Sequence, residues 1–419
     1  MIETNLSNST VQNNEFLPPY LLVLFSLGIM RNAQGQRYID SLWARDLIEH
    51  ARYIKELTII ASTSNDLPAT DATLIDEHPL LSAIRIFEIP QPKSTLSAIK
   101  NTPKVTALIW RELKRAKLVH SSVVSWPIPE AWLITPMLFF RKRLHLIIVE
   151  SAFWRVSQNE PSIVKKIRAN VHEFLSRKCL ERADLSIFTH AGYMDSLLKK
   201  NTSRGHIISA SWINESDILS EQALQEQIKL KLLDINQPIR LIFAGRLNQD
   251  KGVDFLINVI ADIAKDAKIL TLDIYGDGVL KEACEKIIAE RGLSEQVRLR
   301  GMVNYGDEFY ALLNNFDLMV VPSLTDEQPR IVYDAYSQGL PVLASDTAGL
   351  KQCVVDAKTG WLFNMGNKLS LEQKLLEIMS QRAHLAKLSA DCVTYAHSMT
   401  HQEMHRRRLK LLHDLTAYA

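Results

Sequence analysis

Two stretches of the chain share one pattern: a short unbroken apolar run, a polar turn, then apolar positions recurring every three or four residues. In the first, Leu241–Ala244 runs into a turn from Gly245 to Gly252. Val253, Leu256, Ile257, Ile260 and Ile263 then share one side of a helix, with Asp254, Asn258, Asp262 and Lys265 on the other. In the second, Leu318–Val321 ends at Pro322-Ser323, a loop carries Asp326 and Glu327, and a helix opens at Pro329, the first-turn position that proline favours. Continuous apolar runs of this length predict parallel strands covered on both faces.

The first half predicts the same alternation. Strands are expected over Leu21–Ile29, Leu57–Ala61, Ile84–Ile89, Leu118–Ser122, Leu146–Val149 and Leu185–Thr189, and helices from Ser41, over Val105–Lys117 and over Val164–Arg182. No G-x-G-x-x-G follows the first strand, which disfavours a nicotinamide cofactor and a dehydrogenase. The block Trp132–Phe140, followed by Arg141, Lys142 and Arg143, reads as a buried helix with a basic turn. Docking on an anionic bilayer is the competing reading, and the source of an expected peripheral membrane contact. Residues 216–237, charged and glutamine-rich, suit a connector, and the last residues form a helix whose Arg406, Arg407 and Arg408 read as a solvated face.

Composition narrows the class. A chain of 419 residues, 47% hydrophobic and 23% charged, is an ordinary globular protein of two or more domains. A net charge of +2 argues against a nucleic-acid partner bound by phosphate neutralisation. The four cysteines, Cys179, Cys284, Cys353 and Cys392, are dispersed, which suggests buried, reduced thiols and no metal site. The first fifteen residues are polar and expected to be disordered, no signal peptide or membrane-spanning run is read, and a cytoplasmic location follows as the expectation.

The candidate chemistry sits in the turns. Arg246 and Lys251 are the only cations between the strand and helix of the first stretch, where loops leave the carboxyl ends of a parallel sheet. Beside a helix N-terminus they suit a phosphate, although solvated loop residues would look the same. Asp326, Glu327 and Asp334 can accept paired hydrogen bonds from sugar hydroxyls. The competing readings are a solvated loop, and for Asp334 a helical pair with Arg330.

The ordered landmarks GRLNQDKG, DIYGDG, VRLRGMV, NNFDLMVVPS, DAYSQGLPVLASDTAG and KTGWLF, between Arg240 and Phe363, resemble the donor half of the retaining GT-B glycosyltransferases of the large nucleotide-sugar-dependent family four. The resemblance implies an α/β fold with two Rossmann-like domains facing each other across a cleft. Residues 16–215 would form the acceptor domain, 238–394 the donor domain, and 395–419 a helix crossing back to the first. It implies transfer of a sugar from a nucleotide diphosphate sugar, a co-substrate with no further cofactor, to a glycan or lipid-linked acceptor in surface-polysaccharide synthesis. Arg246 and Lys251 would neutralise the diphosphate, Asp326 hold the sugar and Asp334 the ribose. Glu327, Arg330, Gly245 and Gly276 would join the donor site, and Gly35 is carried over from a first loop that is usually glycine-rich.

Some positions depart from the family pattern. Where many members place histidine after the strand Leu146–Val149, this chain has Glu150, which reads either as a sugar contact or as the partner of Arg155. The two family glutamates are Asp326 and Asp334 here, and Gln328-Pro329 stand where glycines are usual, so Glu327 is a candidate to take over the carboxylate role. No D-x-D metal motif is present, so an obligatory metal is not expected. The rival reading is a non-catalytic GT-B protein, a partner or glycan-binding subunit of a polysaccharide assembly.

Overall fold

The computed structural model describes residues 16–64, 66–68, 71–125, 127–156, 160–233, 237–263 and 270–417. The expected disordered tail, residues 1–15, lies outside them. Contacts divide the chain into two compact units. The first holds the chain up to Ile148, Lys178–Leu185, and the end from Leu409; the second holds Val149–Arg177 and Ser186–Arg408. The terminal helix His401–Ala417 thus returns its last residues to the first unit.

The first unit is built on β1 (Tyr20–Arg31), β2 (Arg37–Ile39), β3 (Leu57–Thr63), β4 (Thr73–Leu74), β5 (Arg85–Ile89), β6 (Leu118–Ser122) and β7 (Leu144–Val149), of which Val149 counts with the second unit. The order β5-β3-β1-β6-β7 is parallel throughout, and β1 also carries the antiparallel ribbon β2-β4. Leu21, Val23, Ile60 and Val119 pack under helices Thr95–Glu112 and Glu130–Met137 through Ile109 and Ile134. The helix expected at Val105 begins ten residues earlier, because Ser94 caps the Ser97 N–H while Ser97 returns a bond to the Ser94 N–H. Pro103 lies inside it.

The second unit includes β8 (Leu185–Phe188), of which Leu185 counts with the first unit, paired with β9 (Gly205–Ile207). Its main sheet is β10 (Ile239–Ala244), β11 (Leu270–Tyr275), β12 (Val297–Gly301), β13 (Leu318–Val321), β14 (Val342–Ser345) and β15 (Gly360–Phe363), in the order β12-β11-β10-β13-β14-β15. Leu241 and Phe243 enter one core cluster with Leu256 and Ile260, whereas Ile242 enters another with Met319, Tyr333 and Tyr336. Both faces are covered, as the unbroken apolar runs required. All four cysteines are buried and unbridged. Arg408, expected on a solvated face, is buried. Among the described residues no helix is long and apolar enough to cross a membrane.

Candidate functional site

Three loops leave the carboxyl ends of β10, β11 and β13 and are tied together through their backbones. The Gly245 N–H donates to the Tyr275 carbonyl at 3.0 Å, Leu247 to Asp277 at 2.9 Å, and Leu324 to Asp250 at 2.8 Å. Two glycines permit this closeness. Gly276, at φ +134°, would put a Cβ 1.9 Å from the Gly245 oxygen, and Gly252, at φ +69°, would put one 2.2 Å from the Pro322 oxygen. Any side chain there would separate the loops.

This frame sets the two cations. Arg246 is exposed, while Lys251 is largely covered and its ammonium pairs with Glu327, with Asp250 3.8 Å away. Burial lowers the Lys251 pKa, Asp250 opposes that shift and Arg246 adds to it. Arg246 is thus close enough to act on Lys251, and two cations held together on one loop favour an incoming phosphate that can displace the carboxylates now beside Lys251.

The carboxylate loop is fixed at nearly every residue. Asp326 accepts the Gly349 N–H at 3.0 Å, and its carbonyl accepts the Tyr193 hydroxyl at 2.7 Å. Gln328 clamps the Ala210 backbone, accepting its N–H at 3.0 Å and donating to its carbonyl at 3.3 Å. Arg330 lies over the Trp212 ring, 5.3 Å from its centre. Gly349 sits so close that a Cβ would lie 2.2 Å from the Glu327 oxygen. The helix expected to open at Pro329 runs over Ile331–Ser337, since the loop spends Gln328 and Arg330 on these contacts first. Asp334 is buried in that helix and accepts the Tyr305 hydroxyl at 2.8 Å.

Gly245, Arg246, Lys251, Gly276, Asp326, Glu327, Arg330 and Asp334 therefore belong to loops and a helix start at one end of a single sheet. Glu150 is exposed just beyond β7. Its weighed partner, Arg155, binds Glu173 at 2.9 Å and Ser196 at 2.9 Å instead. Although burial pushes the Glu173 carboxyl up, hydrogen bonds from Arg155 and Trp154 hold it below the usual range. Gly35 lies in the first unit, at φ +81° in the tight turn between β1 and β2, where its carbonyl accepts from Arg31 at 2.7 Å.

Sequence reasoning missed His190 and Tyr193. His190 follows β8, is fully buried, and neither ring nitrogen has a hydrogen-bond partner. Its ring lies 3.9 Å from that of Tyr193, and burial lowers its pKa against the opposing charge of Asp326. A histidine two residues past the strand run Leu185–Phe188 was the available signal, a position close to the one that singled out Glu150 just after its own strand.

Comparison with known proteins places this arrangement. Residues 225–399 match the model of the family described as glycosyl transferases group 1. That stretch of the chain is similar to the group 1 glycosyl transferases. Among the relatives of this chain, alpha-D-kanosaminyltransferase of Streptomyces kanamyceticus is 21% identical over 58% of the chain and 64% of its own length. The amylovoran biosynthesis glycosyltransferase AmsK of Erwinia amylovora is 28% identical over 38% of the chain and 40% of its own. The matches thus span less than two thirds of these relatives. Anabaena HepE in complex with UDP is similar in fold, with a TM-score of 0.65, 14% identity, and coverage of 94% of this chain and all of that one. The chain has the GT-B architecture of two Rossmann-like units.

Proposed function

We propose that this protein takes a sugar from a nucleotide diphosphate sugar, retains its anomeric configuration, and passes it to a glycan or lipid-linked acceptor in polysaccharide assembly. The observation that carries this reading is the pair Arg246 and Lys251, held by backbone-locked loops beside a fixed carboxylate loop. Negative charge develops on the departing diphosphate, and pre-placed cations stabilise it as it appears. Lys251 is occupied by Glu327 in the resting protein. An arriving diphosphate would take the ammonium and release Glu327 toward the sugar hydroxyls, with Asp326 already anchored by Gly349. The family resemblance supports Asp334 as the ribose contact, which Tyr305 would then yield. It also supports retention. Metal independence is supported by the lack of a D-x-D motif.

HepE was solved with UDP, which makes uridine nucleotides the first donors to test. The experiment is release of nucleoside diphosphate from UDP-, GDP-, ADP- and dTDP-hexoses in the absence of acceptor. Slow release from one donor is the expected result. Release from none would favour the non-catalytic reading, for which the glycine-free loop at Gln328-Pro329 speaks.

A cytoplasmic location with peripheral attachment to the inner face of a membrane belongs to the same proposal. Helix Ile163–Leu180 carries Ile163, Val164, Ile167, Val171 and Phe174 exposed along one side, with Lys166 and Arg168 exposed beside them. An apolar stripe flanked by cations fits an anionic lipid surface. In the block weighed earlier, Arg141 is spent on the Trp110 ring at 3.9 Å and Arg143 on the Leu113 carbonyl at 2.9 Å, which is the basic-turn reading. Co-sedimentation with anionic but not neutral vesicles is expected, and equal recovery with both would remove this part.

A further inference from the structure

The first unit holds a cavity of about 370 Å³ whose lining comes from the carboxyl ends of β1, β3, β5 and β6 and from helix Thr95–Glu112. From β1 the chain proceeds outward through β3 and β5 on one side, then returns to β6 and β7 on the other. The strand order therefore reverses between β1 and β6. In open parallel sheets such a reversal leaves a crevice where ligands bind.

The cavity is built by a break in β1. Leu24 pairs with Ala61, yet the next partner of Ser62 is Gly28, so three residues are inserted in one strand. A bulge of this kind orphans backbone groups and re-aims side chains. The Phe25 N–H, lost from the ladder, donates at 2.5 Å to the fully buried carboxylate of Glu130. The Ser125 hydroxyl donates to the same oxygen at 2.5 Å, which fixes the wall contributed by the loop after β6.

The lining has a defined chemistry. Phe25, Val105 and Leu133 present apolar surface, while Ser62, Asn101 and Thr102 present hydroxyl and amide groups. Ser62 is only 3% exposed, and its hydroxyl has no hydrogen-bond partner. A buried hydroxyl left this way costs free energy unless a ligand or water meets it. No lysine or arginine lines the cavity among the described residues, and its one ionisable lining group is Asp66, which accepts the Ser64 hydroxyl at 2.8 Å. A phosphate or carboxylate ligand would enter without a counter-charge and next to an anion, which is costly.

We infer that this cavity binds an uncharged pyranose ring, with the ring's apolar face against Phe25 and its hydroxyls toward Ser62 and Asn101. The inference rests on the glycosyl-transfer reading and makes this ring the acceptor's receiving sugar, so that any phosphate or lipid of the acceptor lies outside the cavity. Recognition is of a neutral glycan end; a sugar phosphate is rejected here.

Saturation-transfer NMR on the full chain tests this with methyl gluco-, galacto-, manno- and N-acetylglucopyranosides, and with glucose 6-phosphate. At least one neutral glycoside should bind, and at least about tenfold more tightly than the phosphate. Ala98→Trp, which fills the cavity from its helix wall, should abolish the signal, and Asn101→Leu should weaken it. Circular dichroism of both variants reports the fold. Tighter binding of glucose 6-phosphate, no binding of any glycoside, or unchanged binding in a folded Ala98→Trp protein would each overturn the inference. Nucleoside diphosphate binding to the wild type is read separately. Its absence alongside glycoside binding would count against the donor reading and leave the cavity standing, whereas the reverse would sink only the cavity.

Discussion

Glu130 offers a prediction whose sign and size follow from its surroundings. It is fully buried, and burial, only partly offset by the Ser125 and Phe25 hydrogen bonds, raises its pKa from 4.5 to about 7. The folded state therefore holds this proton more tightly than the unfolded chain does. Stability from the group is full below pH 4.5 and is lost as pH rises through 7. A shift from 4.5 to about 7 is 2.5 pH units, which at roughly 1.4 kcal/mol each gives a swing of about 3.5 kcal/mol, most of it between pH 5 and 8. Glu130→Gln keeps an oxygen to accept from Phe25 and Ser125 but has no proton to lose. Urea unfolding at pH 5, 6, 7 and 8 should show the wild type losing stability relative to the variant as pH rises. His145, whose pKa burial depresses from 6.5 to about 3, adds stability that is lost as pH falls from 6.5 toward 3, so it overlaps only the acid end of that window. The difference between the two proteins removes its contribution. Parallel pH profiles for wild type and Glu130→Gln would refute the reasoning.

Other perturbations follow from the loop geometry. Arg246→Ala should lower turnover by ~10²–10³ while leaving the unfolding midpoint unchanged, because the side chain is exposed and serves only developing charge; an unaltered rate would contradict that role. Gly349→Ala places a methyl 2.2 Å from the Glu327 oxygen and should displace the loop that carries Asp326, raising KM for the donor with a far-UV spectrum like that of the wild type. Gly252→Ala combines a positive φ with a 2.2 Å approach to the Pro322 oxygen, so a destabilisation of at least about 1–3 kcal/mol is expected from denaturant titration.

Much of the second unit was legible because its strands are covered on both faces and its helices carry one apolar stripe, so period alone separates them. The run Leu241–Ala244 and the stripe from Val253 to Ile263 fall where the pattern placed them. The first unit was harder to read. β1 extends to Arg31 and turns back through the three-residue β2, too short for any alternation to show. Pro103 concealed the start of its helix, because a proline usually marks a boundary and here a capping box beginning nine residues earlier overrides it. Glu130 is a polar residue whose burial depends on a partner distant in sequence, since it catches an N–H freed by a bulge 105 residues away. The carboxylate loop was located correctly in sequence, but its clamping by Gln328 on Ala210, 118 residues apart, required the fold.

The most direct test of the donor site is calorimetric titration of UDP, GDP, ADP and dTDP, and of their hexose conjugates, into the wild type and the Arg246→Ala, Lys251→Ala double variant. One nucleotide should bind the wild type, and the variant should lose that binding while its unfolding transition stays intact. Failure of every nucleotide to bind, or equal binding to the folded double variant, would contradict the assignment of Arg246 and Lys251 to a diphosphate.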